Sequence, residues 1–239
     1  MPTPEPSLYG WITIGGILIG AWLWQRRIRH AGPERFGIFV GSLVGAFLGA
    51  KIVYLLAEGW LHWGAPDFWF QAAVGKTILG GLLGGYAGVE FTKQLVNAPE
   101  PTGDWFAIIV PAGIAMGRVG CLRQGCCLGE TCDPTAWYAW LDRTGVARWP
   151  AVPVELAFNL LALVVLWRIR RRGACQGQLF HSYLMAYGLF RFAHEFARGT
   201  PKVIGGALSG YHVAAFAVFG LGLWGYLRRR HAVRPQIVD

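Results

Sequence analysis

Seven apolar stretches, each close to the length of a bilayer-crossing helix, leave this chain few folds to choose from. They cover about 8–24, 37–57, 70–90, 105–121, 151–167, 178–197 and 206–227. A helix rises about 1.5 Å per residue, so ~20 apolar residues span the hydrocarbon of a membrane. A water-soluble fold would have to bury all seven helices with hardly any polar surface left. Only 15% of the 239 residues are charged, against roughly 25% in an ordinary soluble domain. The expectation is an all-α integral membrane protein with seven transmembrane helices, organised as a single polytopic domain over 1–239. The 34 glycines suit it, because small residues let membrane helices pack backbone to backbone. Runs such as GSLVGAFLGA and GGLLGGYAG are read as tight helix contacts.

The basic residues set the orientation. Arg26, Arg27, Arg29 and Arg35 lie in the first loop, Arg168, Arg170, Arg171 and Arg172 in the fifth, and Arg228, Arg229, Arg230 and Arg234 in the tail. With seven spans all three clusters fall on one side. The positive-inside rule makes that side cytoplasmic and puts the N-terminus outside. The leader MPTPEPS carries no cation and the basic run follows the first span. That order is the reverse of a secretory signal, so the first segment is expected to stay as a span. The net charge of +9 is explained by juxtamembrane loops, and no nucleic acid is implied. The longest loop, about 122–150, lies outside in this topology and carries Trp137, Tyr138 and Trp140 for the membrane interface.

Ionisable groups inside the apolar stretches are costly and so point to function. They are Lys51, Lys76, Arg118, Glu155, Arg191, His194 and Glu195, with Arg198 at a helix end. In YGLFRFAHEFAR, the residues Tyr187, Arg191, Glu195 and Arg198 recur at helical spacing and share one face, with His194 on its flank. Such a stripe lines a polar cavity or, in the structural alternative, braces two helices through an Arg191–Glu195 pair. Lys51 needs a partner or water, whereas Lys76 can snorkel. His181 and His212 are read as structural.

Cys121, Cys126, Cys127 and Cys132 fall within twelve residues, spaced C-x4-C-C-x4-C. The pairs usual for zinc are absent, so the spacing speaks against it. A structural bridge, buried small residues and a reactive thiol all remain open.

These features come together in a resemblance. The chain resembles the prolipoprotein diacylglyceryl transferases of the bacterial inner membrane, through six segments in order. SLYG is similar to the family's Trp-Tyr-Gly. GSLVGAFLGAKIVYLL resembles its Gly-Ala-x-x-Gly-Ala-Arg, with Lys51 for the arginine. KTILGGLLGG resembles its Gly-Gly-leucine segment, and GRVGCLRQGCCLG its signature Gly-Arg-x-Gly-Asn-Phe-x-Asn-Gly-Glu-x-x-Gly. RWPAVPVELAFN and RFAHEFAR resemble its Arg-His-Pro-x-x-Leu-Tyr-Glu and Arg-Phe-x-x-Glu-x-x-Arg. The resemblance places Tyr9, Arg118, Gly129, Tyr187, Arg191, Glu195 and Arg198 at functional positions. Leu79 stands where the family has histidine, Cys121 where it has asparagine and Cys126 where it has glutamate. Trp149 replaces a histidine and Val154 a tyrosine.

The implied reaction moves a diacylglyceryl group from phosphatidylglycerol to the cysteine thiol of a preprolipoprotein. Glycerol phosphate leaves. The active site is expected on the periplasmic side of the inner membrane. Arg118 and Arg191 would clamp the phosphate, and Glu195 or His194 would act as base, with Tyr9 also in the catalytic set. Gly129, Tyr187, Arg198, Cys121 and Cys126 would line the substrate site. The resemblance implies no metal and no organic cofactor. Transfer to another acceptor, and a membrane thiol–disulfide oxidoreductase using the outer cysteines, are the alternatives, beside a pore or transporter without catalysis.

Overall fold

Long apolar sequences satisfy their backbone polar groups internally as helices, and the computed structural model is built of them. It describes residues 33–98 and 102–230, together with Gly15. The segment 8–24, Tyr9 and the arginines at 26, 27, 29 and 234 lie outside the described residues. The helices are α1 (Pro33–Ala57), a 3-10 turn (Gly59–His62), α2 (Phe68–Val74), α3 (Ile78–Leu95), α4 (Gly103–Gln124), α5 (Ala151–Arg171), α6 (Leu179–Glu195) and α7 (Gly210–Arg230). Between α4 and α5 a short antiparallel hairpin pairs β1 (Trp140–Leu141) with β2 (Ala147–Arg148). Four helices, α1, α4, α5 and α7, are long and apolar enough to cross a membrane. Along α1 the side chains of Phe36, Val44, Phe47, Leu48, Ile52 and Leu56 are exposed. Such an apolar surface is suited to lipid rather than water.

The chain forms two compact units. Among the described residues, one comprises 104–176 and 197–199, and the other 33–98, 102–103, 177–196 and 200–230.

In the second unit, α1 and α3 meet through glycine. A methyl group added at Gly45 would lie 2.3 Å from the Gly84 carbonyl oxygen, and one at Gly49 would lie 2.3 Å from that of Gly80. The relation is reciprocal, since a Cβ at Gly88 would lie 2.2 Å from the Gly41 oxygen. No side chain separates these backbones, which is the contact the small-residue runs predict. Helices α6 and α7 pack in a related way, with Gly188 against the Phe219 backbone and Gly222 against that of Met185.

The expected span at 70–90 is divided. Helix α2 ends at Val74 and α3 starts at Ile78. Two side chains of α1 account for the break. The Tyr54 ring occupies the space a Cβ on Gly75 would need, 2.1 Å from its nearest atom. Lys51 Nζ donates to the carbonyls of Ala72, at 2.8 Å, and of Ala73. Those are terminal carbonyls that a helix leaves unpaired. Lys51 thus finds its partner in backbone, and Lys76 is exposed at the break.

The hairpin of the first unit turns on Asp142. Its Oδ1 accepts from the Thr144 hydroxyl at 2.6 Å, from the Thr144 amide at 2.8 Å and from the Val146 amide at 3.0 Å. Its Oδ2 accepts from Arg148 Nε at 2.7 Å. The Thr144 hydroxyl first, and the Arg148 guanidinium next, hold this carboxyl well below the usual carboxylate range.

Two predictions follow from this packing. Gly45→Leu or Gly84→Leu should lower stability in detergent by at least the ~1–3 kcal/mol typical of overpacking, because a carbonyl cannot rotate aside. Gly220→Ala, whose added methyl would meet nothing within 4 Å, should leave the melting temperature the same or higher. For the hairpin, a depressed carboxyl pKa gives stability that is complete above the unfolded value, about 3.8, and lost as pH falls through the folded one. Protection of the Val146 amide from hydrogen exchange should therefore hold down to about pH 4 and fall below it, and Asp142→Asn should remove that dependence.

Candidate active site

In the first unit, the apolar run of α4 carries Arg118 one and a half turns before its end, and α5 brings in Glu155. The guanidinium Nη2 lies 2.8 Å from Glu155 Oε2, with Arg118 6% and Glu155 0% exposed. Arg198 Nη1 approaches the same oxygen at 3.6 Å. One buried carboxylate therefore serves two arginines. Asn159 donates to the Glu155 carbonyl at 2.8 Å, one turn further along α5.

Arg198 reaches this place because the chain after α6 pairs with the loop after α4. Residues Gly129 and Arg198 form an antiparallel bridge, and the Glu130 amide donates to the Ala197 carbonyl at 3.0 Å. Gly129 has to be glycine here, since a Cβ would sit 2.3 Å from the Trp149 carbonyl oxygen. Its own carbonyl accepts from Arg148 Nη1 at 3.3 Å. Trp149 donates its amide to the Glu130 carbonyl at 2.9 Å and sets its ring against Tyr138.

The cysteines lie beside Arg118. Helix α4 runs on to Gln124, so Cys121 shares the Arg118 face, and Arg118 Nη1 lies 3.6 Å from its sulfur. Gly125, at φ +65°, stops the helix, and Cys127, at φ +60°, turns the chain back. Cys127 Sγ then lies 3.9 Å from that of Cys121 and 3.8 Å from that of Cys126. Its hydrogen-bond contacts with the Cys121 and Cys126 sulfurs hold the Cys127 thiol far below its ordinary range, and Arg118 and Arg198 add to this. Contact with the Cys121 sulfur first, and with that of Cys127 next, pushes Cys126 up. Cys132 stands outside this group and pairs its amide with Ala147 at 3.0 Å.

The second unit holds its own buried polar cluster. Arg191 and Glu195, one turn apart on α6, form an ion pair through Nη1 and Oε2. Glu195 Oε1 accepts from the hydroxyls of Thr200 and, at 3.1 Å, Ser209. Lys202 Nζ donates to the Glu195 carbonyl at 3.1 Å. Ser209 precedes α7, and its amide donates to His212 Nδ1 at 2.9 Å. That is the reciprocal half of a capping box, with histidine in the place of glutamate. Accepting there leaves the ring proton on Nε2. Tyr187 is fully buried and stacks on Tyr183 at 5.7 Å, and His194 stacks on Phe190 at 5.0 Å.

Of the residues singled out in the sequence, the fold thus gathers Arg118, Arg198, Gly129, Cys121 and Cys126 in one unit. It places Tyr187, Arg191, His194 and Glu195 in the other. Thr200, Ser209 and His212 are the additions. Their signal was a serine before an apolar run with histidine three residues on, which reads as a helix start rather than as chemistry.

Comparison with known proteins bears on the whole chain. A family model described as prolipoprotein diacylglyceryl transferase matches residues 5–228. A phosphatidylglycerol–prolipoprotein diacylglyceryl transferase of Paracidovorax citrulli is 30% identical, over 90% of this chain and 82% of its own length. One of Nitratidesulfovibrio vulgaris is 28% identical over 90% and 87%. A third, of Chromohalobacter salexigens, is 31% identical over 82% and 76%. A family model over nearly the whole chain and a relative 30% identical over 90% of it lead to one assignment: the chain belongs to the prolipoprotein diacylglyceryl transferase family.

Proposed function

We propose that the protein carries out the reaction its relatives are named for. It transfers a diacylglyceryl group from phosphatidylglycerol to the cysteine thiol of a prolipoprotein. The C–O bond between glyceryl carbon and phosphate breaks, a C–S thioether forms, and glycerol phosphate leaves with the electron pair. The observation that carries this reading is the buried Arg118–Glu155–Arg198 cluster. Two guanidiniums held beside one buried carboxylate give fixed, preorganised donors for an anion. A phosphodiester is such an anion, and guanidinium donors match its oxygens. Glu155 holds the Arg118 fork in place, so bracing and phosphate binding are two uses of one contact. Charge growing on the departing phosphate is stabilised by cations fixed beforehand in a dry site.

The Arg191–Glu195 pair and its Ser209–His212 extension form a buried polar cluster of their own, in which the resemblance assigns Arg191 and Glu195 catalytic roles. Glu195 there accepts from two hydroxyls and a guanidinium, and His212 is linked to it through Ser209. The resemblance assigns Tyr9 and His194 to the catalytic set, and Gly129, Tyr187, Arg198, Cys121 and Cys126 to substrate binding. The relatives' shared name speaks for transfer rather than for thiol–disulfide exchange.

The protein resides in the bacterial inner membrane, crosses it seven times with the N-terminus outside, and presents its active site towards the periplasm. The arginines of the fifth loop and the tail support this orientation.

Purified protein given labelled phosphatidylglycerol and a lipobox peptide should yield a thioether-linked product by mass spectrometry, and no product would sink the assignment. Arg118→Lys and Arg191→Lys should each cut turnover at least tenfold, about 1.4 kcal/mol or more, with melting temperature within a few degrees of the parent. Unchanged turnover would leave the arginines as braces only. A reporter fused to the C-terminus should be active only on the cytoplasmic side, and periplasmic activity would reverse the topology.

A further inference from the structure

The three sulfurs beside Arg118 converge more closely than a loop requires. Cys121 comes from the last turn of α4, and Cys126 and Cys127 from the turn beyond it. The Cys126 amide bonds back to the Cys121 carbonyl at 3.2 Å, which folds the turn over the helix end. Cys127 accepts a left-handed backbone, φ +60°, that glycine adopts freely and cysteine does not. The result is three thiol sulfurs within 4.8 Å of one another, two of the edges being 3.9 and 3.8 Å. A zinc–thiolate bond is about 2.3 Å. Three such bonds give sulfur–sulfur edges of about 3.8 Å in a tetrahedral site and about 4.0 Å in a planar one. The spacing C-x4-C-C lacks the usual pairs, but the turn produces the geometry that pairs usually provide.

We infer that Cys121, Cys126 and Cys127 hold a zinc ion whose fourth position takes the thiol of the acceptor. The inference rests on the transferase reading and extends it. Three soft thiolates select zinc or copper(I) over harder cations. Three protein ligands leave a tetrahedral ion one open position, as in catalytic rather than structural zinc sites. Zinc with three thiolates carries one net negative charge, and Arg118, 3.6 Å from the Cys121 sulfur, lies where it offsets that charge. Arg198 shares its carboxylate partner.

Thioether formation needs the acceptor as thiolate, and Leu79 occupies the position where the family has a histidine. Metal coordination deprotonates a thiol outright. The acceptor thiol gives its proton to water on binding zinc. Its sulfur then attacks the glyceryl carbon, the C–S bond forms as the C–O bond to phosphate breaks, and the leaving glycerol phosphate takes the electron pair. The lost proton balances the phosphate charge released, and no oxidant or reductant is needed.

The test uses the full chain in detergent, reduced, oxygen-free and stripped with a chelator, and titrated with cobalt(II). One cobalt per chain should bind, with thiolate-to-cobalt charge transfer in the near ultraviolet and the strong visible bands of a tetrahedral ion. Zinc should displace it. Cys121→Ser, Cys126→Ser and Cys127→Ser should each abolish the charge-transfer signal, and Cys132→Ser should keep it. A lipobox peptide should shift the visible bands, and its serine counterpart should not. Chelation should cut transfer at least tenfold, and zinc should restore it. Absence of the charge-transfer signal, its survival in Cys121→Ser, no response to the peptide thiol, or full transfer by chelated protein would each overturn the inference. If cobalt and peptide signals appear and stripped, zinc-restored and parent proteins all transfer no lipid, the metal site stands and the assigned reaction falls.

Discussion

Burial of charge without water is the constraint around which this molecule is arranged. Each guanidinium placed inside an apolar helix has to meet a carboxylate at once, and the structure meets the demand locally. Glu155 answers Arg118 and Arg198, and Glu195 answers Arg191. These pairs fix more than themselves. Glu155 ties the end of α4 to the start of α5, and Arg198 draws the strand after α6 against the loop at Gly129. The loop in turn determines where the cysteines fall. Replacing one member of such a pair leaves a buried charge alone, which is worse than never having had the pair.

The second device is the opposite of electrostatic. Where α1 meets α3, glycines bring backbone against backbone, with only a few side chains such as Thr92 and Val53 packed on them. Lipid tails are as apolar as leucine, so membrane helices gain little by hiding leucine from them. Close approach brings many weak contacts together instead. One protein therefore uses a few strong interactions to position its chemistry and many weak ones to hold a scaffold.

Much of this is legible in the sequence because it depends on periodicity and on local spacing. The apolar stretches became helices, the glycine runs became the α1–α3 contact, and the four-residue step from Arg191 to Glu195 became an ion pair. Cys121 keeps to the Arg118 face because three residues is nearly one helical turn. What the sequence did not disclose depends on atoms far apart along it. The break at Gly75 is made by Tyr54 and Lys51, more than twenty residues away. Ser209 and His212 enter the Glu195 cluster only through the loop that joins α6 to α7. The gathering of three sulfurs needs two successive turns in the left-handed region, at Gly125 and Cys127, and no spacing rule for cysteine pairs encodes that. Tyr9 and the first apolar stretch lie outside the described residues.

The glycine contact has a kinetic side as well. A helix pair that meets through leucines must freeze several rotatable bonds on each chain as it closes, at a cost in entropy. Glycine has none to freeze. As α1 and α3 close on each other, fewer side-chain arrangements have to be searched than in a leucine-packed pair. That makes this pair the natural first encounter during assembly in the bilayer, a seed on which the later, charge-bearing helices of the same unit can collect.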